Sequence, residues 1–130
     1  MIPVKQTMLG SIKGNCFQAS VASVLEVPLE SVPHFCLKYS AGKWFFEFKK
    51  WLEKNHGMTA NMFLVSDNEE WLSAQRGYSL AGGKSPRGDF MHSVVYLDGK
   101  IIHDPHPSND GIDGLKDMIV FSYIDPSKEK

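Results

Sequence analysis

The sequence lacks long apolar runs: none approaches the roughly 18 residues a membrane-spanning helix needs, so no membrane association is expected. Met1 to Gly10 holds one lysine and no apolar stretch, the wrong pattern for a secretory signal. An excess of one charge is also missing. Fourteen Lys and Arg stand against 15 Asp and Glu, for a formal net charge of −1, which argues against a broad phosphate-binding surface. No nucleic-acid partner is expected. Cysteine is scarce: two in 130 residues do not make a disulfide framework, and a thiol-reducing, cytoplasmic setting is the default. There is no internal repeat and no low-complexity segment. What is present is ordinary globular material, 42% hydrophobic and 22% charged, enough for the core of one domain spanning 1–130.

Met1 to Asn15 reads as an extended entry broken by Gly10, Ser11 and Gly14. From Cys16 to Glu26, Phe17, Val21, Val24 and Leu25 recur at helical spacing, with Asn15 as N-cap and Pro28 as terminator. Val27 to Phe35 is a turn or a short 3₁₀ piece. A second helix runs from Lys43 to Asn55 on an apolar face of Trp44, Phe45, Phe48, Trp51 and Leu52, and Gly57 stops it. Thr59 to Val65 is a strand, and Asp67 or Asn68 caps a short helix to Gln75. Tyr78 to Ala81 is a short strand and Gly82 to Gly88 a loop. Met91 to Leu97 and Lys100 to Asp104 form a hairpin around Asp98-Gly99. Pro105 to Gly114 is a long loop, Met118 to Ile124 the last strand, and Asp125 to Lys130 a polar tail. Helices first and mainly antiparallel strands after give an α+β arrangement.

Cys16 opens the clearest helix. There its sulfur meets free backbone N–H groups and the positive end of the helix dipole, both of which favour the nucleophilic thiolate. The bland alternative is a small buried residue starting a core helix. A reactive thiol needs a base, and His92 stands at the start of a strand, with Asp104 at the end of the next. A two-residue Asp98-Gly99 turn would set His92 opposite Pro105 and turn Asp104 away. A three-residue Leu97-Asp98-Gly99 loop would set His92 opposite Asp104, with Cβ atoms about 5 Å apart. The sequence permits either.

Cysteine at a helix start, then histidine, then aspartate is the papain-type order. Gly14-Asn15-Cys16-Phe17-Gln18-Ala19-Ser20, with His92-Ser93-Val94-Val95-Tyr96 and Asp104-Pro105, resembles the papain-like cysteine peptidases, in particular the bacteriocin-processing C39 type and its C39-like relatives. Small bacterial and phage proteins with Gly-Asn-Cys-Phe, Ser-Pro-Arg-Gly and His-Asp-Pro-His-Pro are similar as well, the last two standing here at Ser85 to Gly88 and His103 to Pro107. The resemblance runs from Gln6 to Gly111. It implies a minimal papain-like core, with N-terminal helices packed on a mainly antiparallel sheet. Cys16 matches the nucleophile, His92 the general base and acid, and Asp104 the orienting residue. The implied activity is hydrolysis of an amide, peptide or isopeptide bond in a peptide or protein substrate, through a thioester and without a cofactor. The family adds a glutamine shortly before the cysteine as an oxyanion donor. Here Gly10 and its neighbours fill that stretch and the nearest upstream glutamine is Gln6, with Asn15 and Gln18 as other amide donors. The rival from another class is an inactive papain-like fold serving as a phage or bacterial protein-binding module; 130 residues leave little for a substrate-recognition lobe. Oligomeric state stays open.

Other signals are weaker. Gly83-Lys84-Ser85 evokes a phosphate loop, but Tyr78 replaces the required glycine and Pro86 blocks the following helix. That loop is better read as a wall beside His92, with Arg87 available to an acidic group, or as a solvated turn. His92, His103, Asp104 and His106 invite a metal reading, but helical His spacing and paired cysteines are absent, and no metal is expected. His106 fits the cleft entrance better. Cys36 has no helix-start context and reads as a core or half-buried thiol, and the aromatic face of the second helix reads as core. His34 and His56 sit near turns and carry no further signal.

Overall fold

Periodic apolar side chains build the helices in the computed structural model, which describes residues 1–10, 13–65 and 76–124. Helix α1 (Cys16–Leu25) buries Phe17, Val21 and Ala22 and ends at Glu26, which adopts a left-handed conformation (φ 59°) two residues ahead of Pro28. A 3₁₀ turn spans Leu29–Ser31, as the sequence allows, and a single helical turn, α2 (Phe35–Lys38), follows in a stretch to which the sequence assigns no element. Its Phe35 is buried, so one anchored aromatic accounts for the extra turn. Helix α3 (Trp44–His56) ends at Gly57, whose positive φ of 63° lets its N–H return to the carbonyls of Leu52 and Glu53.

The strands are β1 (Met58–Leu64), β2 (Tyr78–Lys84), β3 (Met91–Leu97), β4 (Lys100–His103) and β5 (Asp113–Tyr123). They form one antiparallel sheet in the order β1-β5-β2-β3-β4. Among the described residues, three α-helices packed on a five-stranded antiparallel sheet give an α+β fold. Phe17 meets Trp44 and Phe48 edge-on at 4.9 and 5.0 Å, and Phe48 meets Phe35 at 5.5 Å. This aromatic layer lies over Leu80, Val95, Ala60 and Ile119 of the sheet; on the expected face of α3, Phe48 and Leu52 are core, while Trp44, Phe45 and Trp51 are half-buried against it.

Two strand boundaries differ from the sequence reading by more than one residue. Gly82 to Lys84 belong to β2 and not to a loop. Gly83 is required there because a Cβ would strike the Gly114 backbone carbonyl, and Gly82 leaves the space that the Asp117 carboxylate fills. The same packing extends β5 back to Asp113, shortening the loop after Asp104. The expected helix from Asp67 or Asn68 to Gln75 and the polar tail lie outside the described residues. Among the described residues no helix is long and apolar enough to cross a membrane.

Candidate functional site

Cys16 takes its position from a tight fold-back. A Cβ at Gly14 would collide with the Gly10 carbonyl, so the chain reverses just before α1 only because residue 14 is glycine. Asn15 does not cap α1 with its side chain. Its Oδ1 accepts the N–H groups of Thr7 and Met8 at 3.0 and 2.9 Å, and its Nδ2 donates to Thr7 Oγ1 and Gln18 Oε1. Gln18 Nε2 donates onward to the carbonyls of Leu29 and Val32. Both amides therefore brace the helix start, and neither is directed at Cys16. The Ser93 N–H donates to Cys16 Sγ at 3.4 Å, and Ser20 Oγ donates to the Ser93 carbonyl, tying α1 to β3.

His92 and Asp104 do meet, by a route the sequence did not anticipate. The hairpin uses the two-residue Asp98-Gly99 turn, both residues at positive φ (52° and 82°), with Leu97 opposite Lys100 and Tyr96 opposite Ile101. The three-residue loop is not formed. The next pair is Val95 with His103, which leaves Ile102 as an extra residue in a β-bulge. One extra residue reverses the alternation of faces beyond it, so Asp104, just past β4, returns to the face of Val94 and His92. His103 goes the other way and its Nε2–H donates to the Val4 carbonyl at 2.7 Å.

His92 Nε2–H donates to Asp104 Oδ1 at 2.7 Å, with the two residues 3% and 1% exposed. The same Oδ1 accepts the His106 N–H at 2.9 Å, and Oδ2 accepts the Gly111 N–H at 2.7 Å. Burial pushes the Asp104 carboxyl up, but these three donors outweigh it and bring it down to about 2. Burial pushes His92 down, while Asp104 and the Cys16 sulfur raise it, to about 9 on balance. Burial likewise raises the Cys16 thiol; the hydrogen bond and charge of His92, with the N–H groups of Ser93 and Phe17, outweigh it and leave the thiol lowered. With Nε2 committed to Asp104, Nδ1 is the ring nitrogen left for the thiol.

A cavity of about 350 Å³ opens beside these groups, within the range of small-ligand sites. Gln6, Arg87 and His106 line it together with Cys16 and His92, while Asn15 and Gln18 do not. Gln6 is held by its N–H to the Pro105 carbonyl at 3.0 Å. Its Nε2 donates to the Met8 carbonyl at 2.9 Å, which leaves one amide hydrogen free, and its Oε1 is buried without a partner. Arg87 Nη1 donates to Ser108 Oγ at 3.1 Å, and the His106 ring stands 6.2 Å from that of His92. No group of three or more potential metal ligands occurs among the described residues.

Two titratable lining residues, Cys36 and Asp117, have no place in the site read from the sequence. Cys36, on α2, is exposed at the rim and not core; its sulfur is nonetheless partly desolvated, and that burial, with the charge of Cys16, pushes its thiol up to about 11. The two cysteines thus share a cavity but differ in ionisation. The spacing starts the last strand only at Met118, yet Asp117 lies within β5 and faces the cavity. An aspartate among strand residues is itself a signal, because strands are depleted in aspartate. No protein-family model, curated protein or solved structure matches the chain.

Proposed function

We propose that the chain is a papain-like, C39-like cysteine hydrolase that cleaves an amide, peptide or isopeptide bond, with Cys16 as nucleophile, His92 as general base and acid, and Asp104 as the orienting residue. The observation that carries the reading is the buried 2.7 Å His92–Asp104 bond, which fixes the imidazole and leaves its other nitrogen for the lowered Cys16 thiol. In the reaction the Cys16 sulfur, its proton held by His92, attacks the carbonyl carbon and forms a tetrahedral intermediate. The Cys16 backbone N–H and the second amide hydrogen of Gln6 receive the oxyanion, each such donor contributing about 3 kcal/mol. The C–N bond breaks as His92 gives its proton to the leaving amine. Water, deprotonated by His92, then splits the thioester and returns the thiol.

Thiol reactivity tests the proposal. Iodoacetamide at neutral pH should label Cys16 roughly tenfold faster than free cysteine, since a free thiol is only a few per cent ionised there. His92→Ala should abolish the advantage. Cys16 labelling at the rate of free cysteine, unchanged by His92→Ala, refutes the hydrolase and favours the binding-module alternative.

A further inference from the structure

We propose that Asp117 is the specificity determinant of this cavity and selects substrates carrying an ammonium or guanidinium group close to the bond that Cys16 attacks. The inference rests on the hydrolase reading above and adds a substrate class to it. Leu64, Asp117, Gly82 and Ser93 are successive partners across four adjacent strands, so they share one row of the sheet. Paired residues point to the same face, which places Asp117 on the side of Ser93, whose N–H touches the Cys16 sulfur. Two strand spacings separate Asp117 from Ser93, roughly 10 Å between backbones. The strand between them carries only a hydrogen at Gly82, and the Asp117 carboxylate occupies the room a Cβ would have taken. The missing side chain thus lets the acid lean toward the thiol, within reach of one substrate side chain.

The carboxylate has no ion-pair partner among the described residues, and burial raises its pKa. Arg87, also in the cavity, keeps its charge because its Ser108 partner is a neutral hydroxyl, but it forms no ion pair with Asp117. A cation supplied by the substrate would give Asp117 the counter-charge the chain does not. The apolar walls fit the same ligand: Phe17, Trp44 and Met62 can cover the aliphatic stem of a lysine or arginine, and the indole ring adds cation–π attraction.

Charged thiol reagents test this without a natural substrate. The full chain is treated in parallel with iodoacetamide, a trimethylammonium methanethiosulfonate and a sulfonate methanethiosulfonate, and mass spectrometry of peptides separates Cys16 from Cys36. Relative to free cysteine, wild-type Cys16 should favour the cationic over the anionic reagent by about tenfold. Asp117→Asn should erase that preference and Asp117→Glu should keep it. A wild-type preference equal to that of free cysteine, or one that survives in Asp117→Asn, overturns the assignment. The wild-type ratio needs no variant to fold. The iodoacetamide arm separates the two levels, because slow labelling defeats the hydrolase reading, whereas fast labelling without charge preference defeats only the role of Asp117. Peptide mixtures with lysines or N-termini acetylated then identify the source of the ammonium, since the effective block abolishes cleavage. Cleavage indifferent to both blocks and to arginine content overturns the substrate class.

Discussion

Replacing Asp104 by asparagine in a Cys16→Ala background separates the carboxylate's hold on His92 from that of the sulfur. His92 rises from 6.5 to about 9 in the folded chain. That rise corresponds to about 3.4 kcal/mol. Asp104 and Cys16 share it, and water reaching the cavity side of the ring screens part of it, so about 2 kcal/mol is a reasonable share for Asp104. The sign follows from linkage. A base whose pKa is raised by folding adds stability that is complete below 6.5 and is lost as pH climbs through about 9. Asp104, lowered from 3.8 to about 2, adds stability present above 3.8 and lost as pH falls toward 2. The pair therefore stabilises most between about pH 4 and 6.5.

Urea unfolding at about pH 6 and pH 10 reads this directly. Cys16→Ala should lose about 2 kcal/mol between the two conditions, beyond the drift from other groups. Adding Asp104→Asn should remove that loss and lower stability at pH 6 by about 2–3 kcal/mol. The lower starting point arises because Oδ1 serves both His92 and His106 and Oδ2 serves Gly111, while asparagine offers one acceptor oxygen for these three donors. Equal stability at pH 6, or the same pH slope with and without the carboxylate, would refute the coupling.

Gly83→Ala should destabilise by about 1–3 kcal/mol in urea titrations, since its Cβ meets the Gly114 backbone carbonyl. Gly82→Ala should cost less, because a side-chain carboxylate can rotate away, but it should disturb the charge preference at Cys16. Glu26→Gly should raise stability by up to about 1 kcal/mol, seen as a higher melting temperature, because Glu26 holds a left-handed conformation at the end of α1. Asn15→Ala should cost about 2–4 kcal/mol and slow iodoacetamide labelling of Cys16, since four hydrogen bonds that fix the helix start disappear together.

Local signals were legible where one element fixes the outcome. The 3.6-residue spacing after Asn15 and across Trp44 to Leu52 reads as helix because each helix carries its apolar face in its own sequence. Gly57 reads as a stop for the same reason. Signals failed where the deciding partner lies far along the chain. Gly82-Gly83 looks like a loop in isolation and becomes strand because Asp117 and Gly114 occupy the space above it. Asn15 looks like a cap and instead binds the entry segment around Thr7 and Met8, whose approach no local pattern announces. Cys36 reads as a core or half-buried thiol, while the turn that carries it to the cavity rim depends on Phe35 packing against α3.

The meeting of His92 and Asp104 depends on a defect in pairing. A regular continuation of the two-residue turn would set their side chains on opposite faces. Either a longer turn or an extra residue in β4 restores a common face, and the chain uses the extra residue at Ile102. The sequence left open whether the two groups meet, because the bulge that brings them to one face carries no local signal. Bulges beside reactive groups re-aim side chains in this way. Asp104 then lies just past the strand, free of ladder pairing, where its second oxygen can collect the Gly111 N–H from the following loop. A regular strand end would have left that carboxylate with fewer donors, and with less power to hold His92 in its protonated form.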